Sequence, residues 1–294
     1  MPGSDLTLPA APRPSVFWRG LDALLFSSVW LAGAAAAQTA ATFVTFRSHP
    51  AVGVSYRVVA LVFAATLLVY NLDAVLPFKH RQPAGTSVRK AWQQRHRRAL
   101  ALLAIGAALV VGMLFLLDGW WRYLPSLLPL AALALLYSWP LVRWRGQRRA
   151  LREVPLLKAF LIAGVWSAIT VGLPTLWLHR PLVDAAVLLA QRFCLVLALA
   201  IVFDIRDQSR DLAASTRTFP VVLGLAGAKA VALACLAGAM VLGFERGMPP
   251  PWLGVVGASA AAVILLAHER RSDYFFALLA DGVLLVPAVL YLVF

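Results

Sequence analysis

At least six apolar runs in this chain reach the roughly 20 residues that a helix needs to cross the hydrocarbon core of a bilayer. No water is present there to satisfy backbone N–H and C=O groups, so such runs fold as helices that close their hydrogen bonds internally. A signal peptide ahead of a soluble domain has one such run, so that arrangement is excluded. Composition agrees, with 61% of the 294 residues hydrophobic, 14% charged and a mean hydropathy of +0.79. The expectation is an all-α integral membrane protein of about nine transmembrane helices over residues 17–294. It is preceded by a tail over residues 1–16, which is rich in Pro and small residues and has no apolar core.

The spans fall at about 21–46, 52–76, 99–117, 120–142, 156–178, 182–203, 221–244, 252–267 and from 274 to the C-terminus. Loops after the second, fourth, sixth and eighth spans carry 7, 5, 3 and 2 Lys or Arg residues, and the opposite loops carry at most two each. Basic residues collect on the cytoplasmic side, which places the N-terminus and the loop after the sixth span there, in a multi-pass protein of the inner (plasma) membrane. The net charge of +14 resides largely in these loops and reads as attraction to anionic lipid, not to nucleic acid. Cys194 and Cys235 lie inside apolar runs, and the five His residues are scattered singly, so neither a disulfide framework nor a zinc spacing exists.

The sixth span runs directly into FDIRDQSRDLAASTRTFPVVLG, residues 203–224. If the helix continues, Asp204, Asp207 and Asp211 sit at i, i+3 and i+7, within roughly 60° of one another. Like charges on one face repel and need a cation, for which Mg²⁺ and Arg206, Arg210 or Arg217 are the candidates. Mg²⁺ takes one or two carboxylates and completes its shell with water and phosphate oxygens, so the stretch reads as a metal-diphosphate clamp at a membrane surface. The plainer alternative is a solvated loop whose acids pair with its own arginines.

This stretch resembles the second Asp-rich signature of the UbiA superfamily of intramembrane prenyltransferases, N-D-I-R-D-x-x-x-D-x-x-x-G-x-R-T-x-P-V-x-L-G. Asp204, Ile205, Arg206, Asp207, Asp211, Arg217, Thr218, Pro220, Val221, Leu223 and Gly224 match, while Phe203 replaces Asn and Ser215 replaces Gly. The resemblance implies a UbiA-like helical bundle around a cavity open to the membrane, with a cytoplasmic cap formed by the loops after spans two and six. It also implies a prenyl diphosphate bound through Mg²⁺ by Asp204, Asp207 and Asp211, with Arg206 and Arg217 contacting the diphosphate. Departure of the diphosphate leaves an allylic cation, which a hydrophobic, aromatic acceptor captures.

The family's first motif, N-D-x-x-D-x-x-x-D, is altered. Asn71 is retained at the end of span two, but Val75 and Lys79 stand at two of the Asp positions. Asp73 is a nearby carboxylate, pointing about 160° from Asn71 on a regular helix, and it rejoins the site only if the helix ends or kinks before Pro77. A two-Mg²⁺ arrangement is short of ligands on this side, and Lys79, Arg81 and Arg89 are candidates to supply its charge to the diphosphate.

Ionisable groups at membrane depth are costly and point to function. Arg192 lies about 18 Å along the helix from Asp204 and can pair with Asp281 or act in catalysis. Lys158, near the start of span five, either snorkels or contacts diphosphate. Tyr137 in LLYSWP resembles a tyrosine common at this place in the family, and Gln38 and Asn71 are candidate cavity residues. The function expected is prenyl transfer, with Asn71, Asp73, Tyr137, Lys158 and Arg192 as candidate catalytic residues. An intramembrane terpene cyclase and a non-catalytic lipid-phosphate binder or transporter are the alternatives.

Overall fold

The computed structural model describes residues 15–46, 53–76, 87–136, 142–144, 147–149, 154 and 156–293. Helix α1 (Val16–Phe26) bends by 56° into α2 (Val29–Thr45) at Ser27-Ser28, where Ser28 has a φ of 65°. Helix α3 (Tyr56–Val75) is followed by the short amphipathic α4 (Val88–Arg95), capped at its start by the Ser87 hydroxyl, and by α5 (Arg97–Leu117). A 3₁₀ turn over Trp120–Tyr123 leads into α6 (Leu124–Leu136). The all-helical expectation then meets one exception, a two-stranded antiparallel hairpin of β1 (Val142–Trp144) and β2 (Gln147–Arg149) within the second basic loop.

Helix α7 (Leu157–Ser167) passes through a π turn at Ala168–Gly172 into α8 (Leu173–Trp177). After a 3₁₀ turn come α9 (Ala186–Arg206), α10 (Gln208–Ala213), α11 (Phe219–Glu245) and α12 (Pro250–Leu266). A second π turn, Phe275–Ala280, opens the last segment, which continues through α13 (Asp281–Val283) and α14 (Leu285–Val293).

A helix lies in each of the nine expected places. Among the described residues, five segments are long and apolar enough on their own to cross a membrane, and six if the bent α1–α2 pair is one span. The segments 250–266 and 275–291 are shorter apolar helices.

Helix α9 is the centre of the bundle. Every side chain from Leu195 to Val202 is buried, with α7 on one side and α11 on the other. Helix α3 packs between α2 and α5, and α14 lies against α2. On α5, Leu102, Ile105, Leu109, Met113 and Leu116 form an exposed stripe at helical spacing. That stripe suits lipid, because exposed leucine costs nothing among acyl chains. Buried threonines Thr39, Thr66, Thr170 and Thr175 each return their hydroxyl to the carbonyl four residues earlier, so these four hydroxyls are not stranded in the apolar interior.

Candidate functional site

A cavity of about 900 Å³ opens between α3, α4, α7, α9 and the last segment. Its depth is apolar, walled by Leu31, Ile162, Trp166, Val196, Leu199 and Leu284, and its mouth is charged. The mouth carries the basic groups Arg89, Lys90, Lys158, Arg206, Arg210 and Arg271, facing the acids Asp73, Asp207, Asp211, Glu269, Asp273 and Asp281.

The Asp-rich stretch is not one helix. Helix α9 stops at Arg206, and Asp207 (φ −94°, ψ 8°) joins it to α10. The i to i+4 bond from Asp211 N–H to the Asp207 carbonyl survives at 2.8 Å, so the turn tightens without reversing the chain. The three carboxylates therefore still converge, and they converge on Lys158. Its Nζ lies 2.8 Å from Asp204 Oδ1, 4.0 Å from Asp207 Oδ2 and 3.8 Å from Asp211 Oδ2.

Asp207 is also forked by Arg206, with Nε donating to Oδ1 at 3.1 Å and Nη2 to Oδ2 at 3.0 Å, and Arg210 Nη1 adds a contact of 3.2 Å. Burial opposes the charge on Asp207, but Arg206, Lys158 and Arg210 outweigh it and hold this carboxyl well below the ordinary range. At Asp211 burial dominates, with Asp207 and Asp204 adding to it, and its carboxyl is raised despite Lys158. Arg206 lies over the adjacent rings of Phe203 and Phe276, with its guanidinium carbon 5.0 and 5.7 Å from their ring centres.

The first-motif side also departs from expectation. Asp73 lines the cavity from within an unbroken α3, so no kink is needed. Asn71 is buried and turned the other way, donating to the carbonyls of Ser27 (3.0 Å) and Leu67 (2.9 Å). The altered motif thus contributes an acid, and its retained asparagine braces the α1–α2 bend.

Other expected residues separate. Arg192 and Asp281 form no ion pair: Arg192 donates to Thr170 Oγ1 at 3.5 Å, whereas Asp281 lines the cavity near Arg89 and Arg206. Gln38 is fully buried and donates to the Leu284 carbonyl, outside the cavity lining. The Arg217 side chain is exposed and outside that lining, and its carbonyl accepts from Leu156 N–H at 2.8 Å. Lys79, Arg81 and Tyr137 lie outside the described residues.

Several site residues were not singled out from the sequence. Tyr70 and Trp166 both line the cavity, and the Trp166 indole donates to the Tyr70 hydroxyl at 3.2 Å. Asp273 Oδ2 accepts from Ser87 Oγ (2.9 Å) and from Arg89 N–H (3.0 Å), anchoring the start of α4. Glu269 accepts from Ser209 N–H at 3.1 Å and does the same for α10. The loop after α12 thus braces both pieces of the cap, and its HERRSD sequence was the only signal. Arg89, a candidate from the sequence, is brought to the mouth by α4, where burial, with Arg206 adding to it, pulls its pKa down.

No family model matches the sequence, and no curated protein does. Among solved structures, the apo structure of a UbiA homologue from Aeropyrum pernix K1 superimposes with a TM-score of 0.54, covering 92% of this chain and 96% of that one, at 17% identity. The chain has a UbiA-type fold. Agreement over nearly the whole of both chains at so low an identity is agreement in helix arrangement.

This UbiA-type fold bears on a metal through its donor set. Among the described residues no three His, Cys, Asp or Glu side chains close around a common metal position. The aspartates close around an ammonium instead. Their oxygens are nonetheless the hard donors Mg²⁺ takes, and one oxygen of each lies within 4.0 Å of a single ammonium nitrogen. The set fits one divalent cation in exchange for the ammonium.

Proposed function

We propose that the protein is an intramembrane prenyltransferase of the UbiA type, moving an isoprenoid chain from a prenyl diphosphate to a hydrophobic acceptor. One observation carries the reading: a single cavity joins a charged mouth to an apolar depth, the division of a prenyl diphosphate into head and tail. Arg89, Arg206, Arg210 and Lys158 receive the diphosphate, since charge-assisted contacts to phosphate are the strong ones. Leu31, Ile162, Val196 and Leu199 hold the chain and exclude water from it. Asp204, Asp207 and Asp211 would hold a Mg²⁺, which when bound would neutralise charge on the leaving diphosphate. Breaking the allylic C–O bond gives the diphosphate and an allylic cation, which the faces of Tyr70, Trp166 and Phe203 stabilise. The acceptor's nucleophilic atom then forms the new bond and releases its proton.

The reading is tested by incubating membranes containing the protein with radiolabelled prenyl diphosphate and native lipid extract. A labelled conjugate is the expected product. A cyclised hydrocarbon means a cyclase, and unchanged label with saturable binding means a carrier. Within the site, Asp207→Ala removes the carboxylate that organises Arg206 and Arg210. It should abolish metal-dependent diphosphate binding while the protein stays folded, and near-normal affinity with Mg²⁺ in detergent would refute the assignment.

A further inference from the structure

We infer that Lys158 and one divalent cation compete for the same cage of three aspartates, so that Lys158 keeps the cage closed to metal until diphosphate arrives. The diphosphate half of this statement rests on the function proposed above, whereas the competition itself does not.

Charge is the first reason. The cage brings three negative charges, from Asp204, Asp207 and Asp211, and three cations touch it, Lys158, Arg206 and Arg210. It is neutral without a metal. A divalent cation entering beside all three leaves a local excess of two positive charges, unfavourable in a site this buried until an anion joins it.

The second reason is how each cation is held. Arg206 and Arg210 hydrogen-bond directly to Asp207 from the same turn of chain, and Arg206 also rests on two adjacent phenylalanine rings. Lys158 reaches in from α7, on the far side of the gap, on a flexible stem. Only its contact with Asp204 is short; Asp207 and Asp211 hold it loosely at 4.0 and 3.8 Å. Lys158 is therefore the cation that can leave. A phosphate oxygen in the mouth draws its ammonium away, opens the cage to the metal and supplies the balancing charge, so metal and diphosphate bind with positive coupling.

The third reason sets the number. Across the mouth, α3 presents Asp73 with Val75 two residues on, and Asn71 turned away. The described residues offer one cage, so the stoichiometry is one metal per chain.

The experiment uses full-length protein in detergent and Mn²⁺ as probe, following the loss of the free Mn²⁺ resonance on titration. The unmodified protein should bind Mn²⁺ weakly. Lys158→Met, which keeps length and loses charge, should bind one Mn²⁺ at least about tenfold more tightly, a gain of about 1.4 kcal/mol. Equal or weaker binding in a folded Lys158→Met protein overturns the competition. Should that variant not fold, the unmodified protein decides: after loading with Mn²⁺ and a prenyl thiodiphosphate and removal of excess, elemental analysis should give one Mn per chain, and two overturns the proposal. Failure of the thiodiphosphate to bind with or without Mn²⁺ overturns the diphosphate reading alone, and the ligand-free titration then decides the competition.

Discussion

Arg192 is a buried cation that the cavity leaves aside. It is 6% exposed, and among the described residues no carboxylate lies within ion-pair distance of it. An unpaired charge in an apolar interior destabilises, so Arg192→Met should leave diphosphate affinity unchanged and the unfolding temperature unchanged or higher. A clear loss of affinity in that variant returns Arg192 to the site. The contrast with Lys158 shows what a sequence can carry at this scale. The three aspartates were legible because their spacing is local, and a tightened turn at Asp207 keeps the rotation that a continuous helix would give. Their partner was legible only as a lysine near a span end, because α7 and α9 meet through the bundle and not through the chain. Asn71 and Asp73 show the same limit: periodicity separates their faces, and only the neighbouring helices determine which face looks inward.

At the scale of elements, the loop after α12 is the brace of the cap. Asp273→Ala removes the acceptor of Ser87 Oγ and of Arg89 N–H, so α4 should loosen and carry Arg89 with it. Faster amide exchange over residues 88–95 with weaker diphosphate binding is the expected result, and unchanged exchange would mean that α4 is held by its contacts with α1 instead. In α11, Gly224 has φ 71° and ψ 174°, a conformation essentially reserved for glycine, and it breaks the helix just after Pro220. A Cβ there meets nothing within 4 Å, so the cost of Gly224→Ala is backbone strain alone, about 1–3 kcal/mol. Unfolding by denaturant in detergent measures it, and an unchanged midpoint contradicts it. Helix positions were readable from apolar runs, whereas the α1–α2 bend and the two π turns leave no period in the sequence.

For the whole molecule, the basic asymmetry of the loops makes orientation testable. Ala213 and Glu245 are both exposed and lie at opposite ends of α10–α11. A membrane-impermeant maleimide applied to intact cells should label Glu245→Cys and not Ala213→Cys, and permeabilisation should expose the second. Labelling of Ala213→Cys in intact cells reverses the orientation. The π turn at Ala168–Gly172 bears on how such a bundle tolerates change in length. A π turn holds one residue more than the α-helical turn it replaces, so it takes up that residue locally and the segments before and after it stay in phase. Lys158 stands before it and Thr175 after it. Deleting Ile169 would restore a regular helix and leave Lys158 and Thr175 on the faces they now hold. A change of one residue at this place is thus absorbed in the turn, and the rest of the bundle keeps its register.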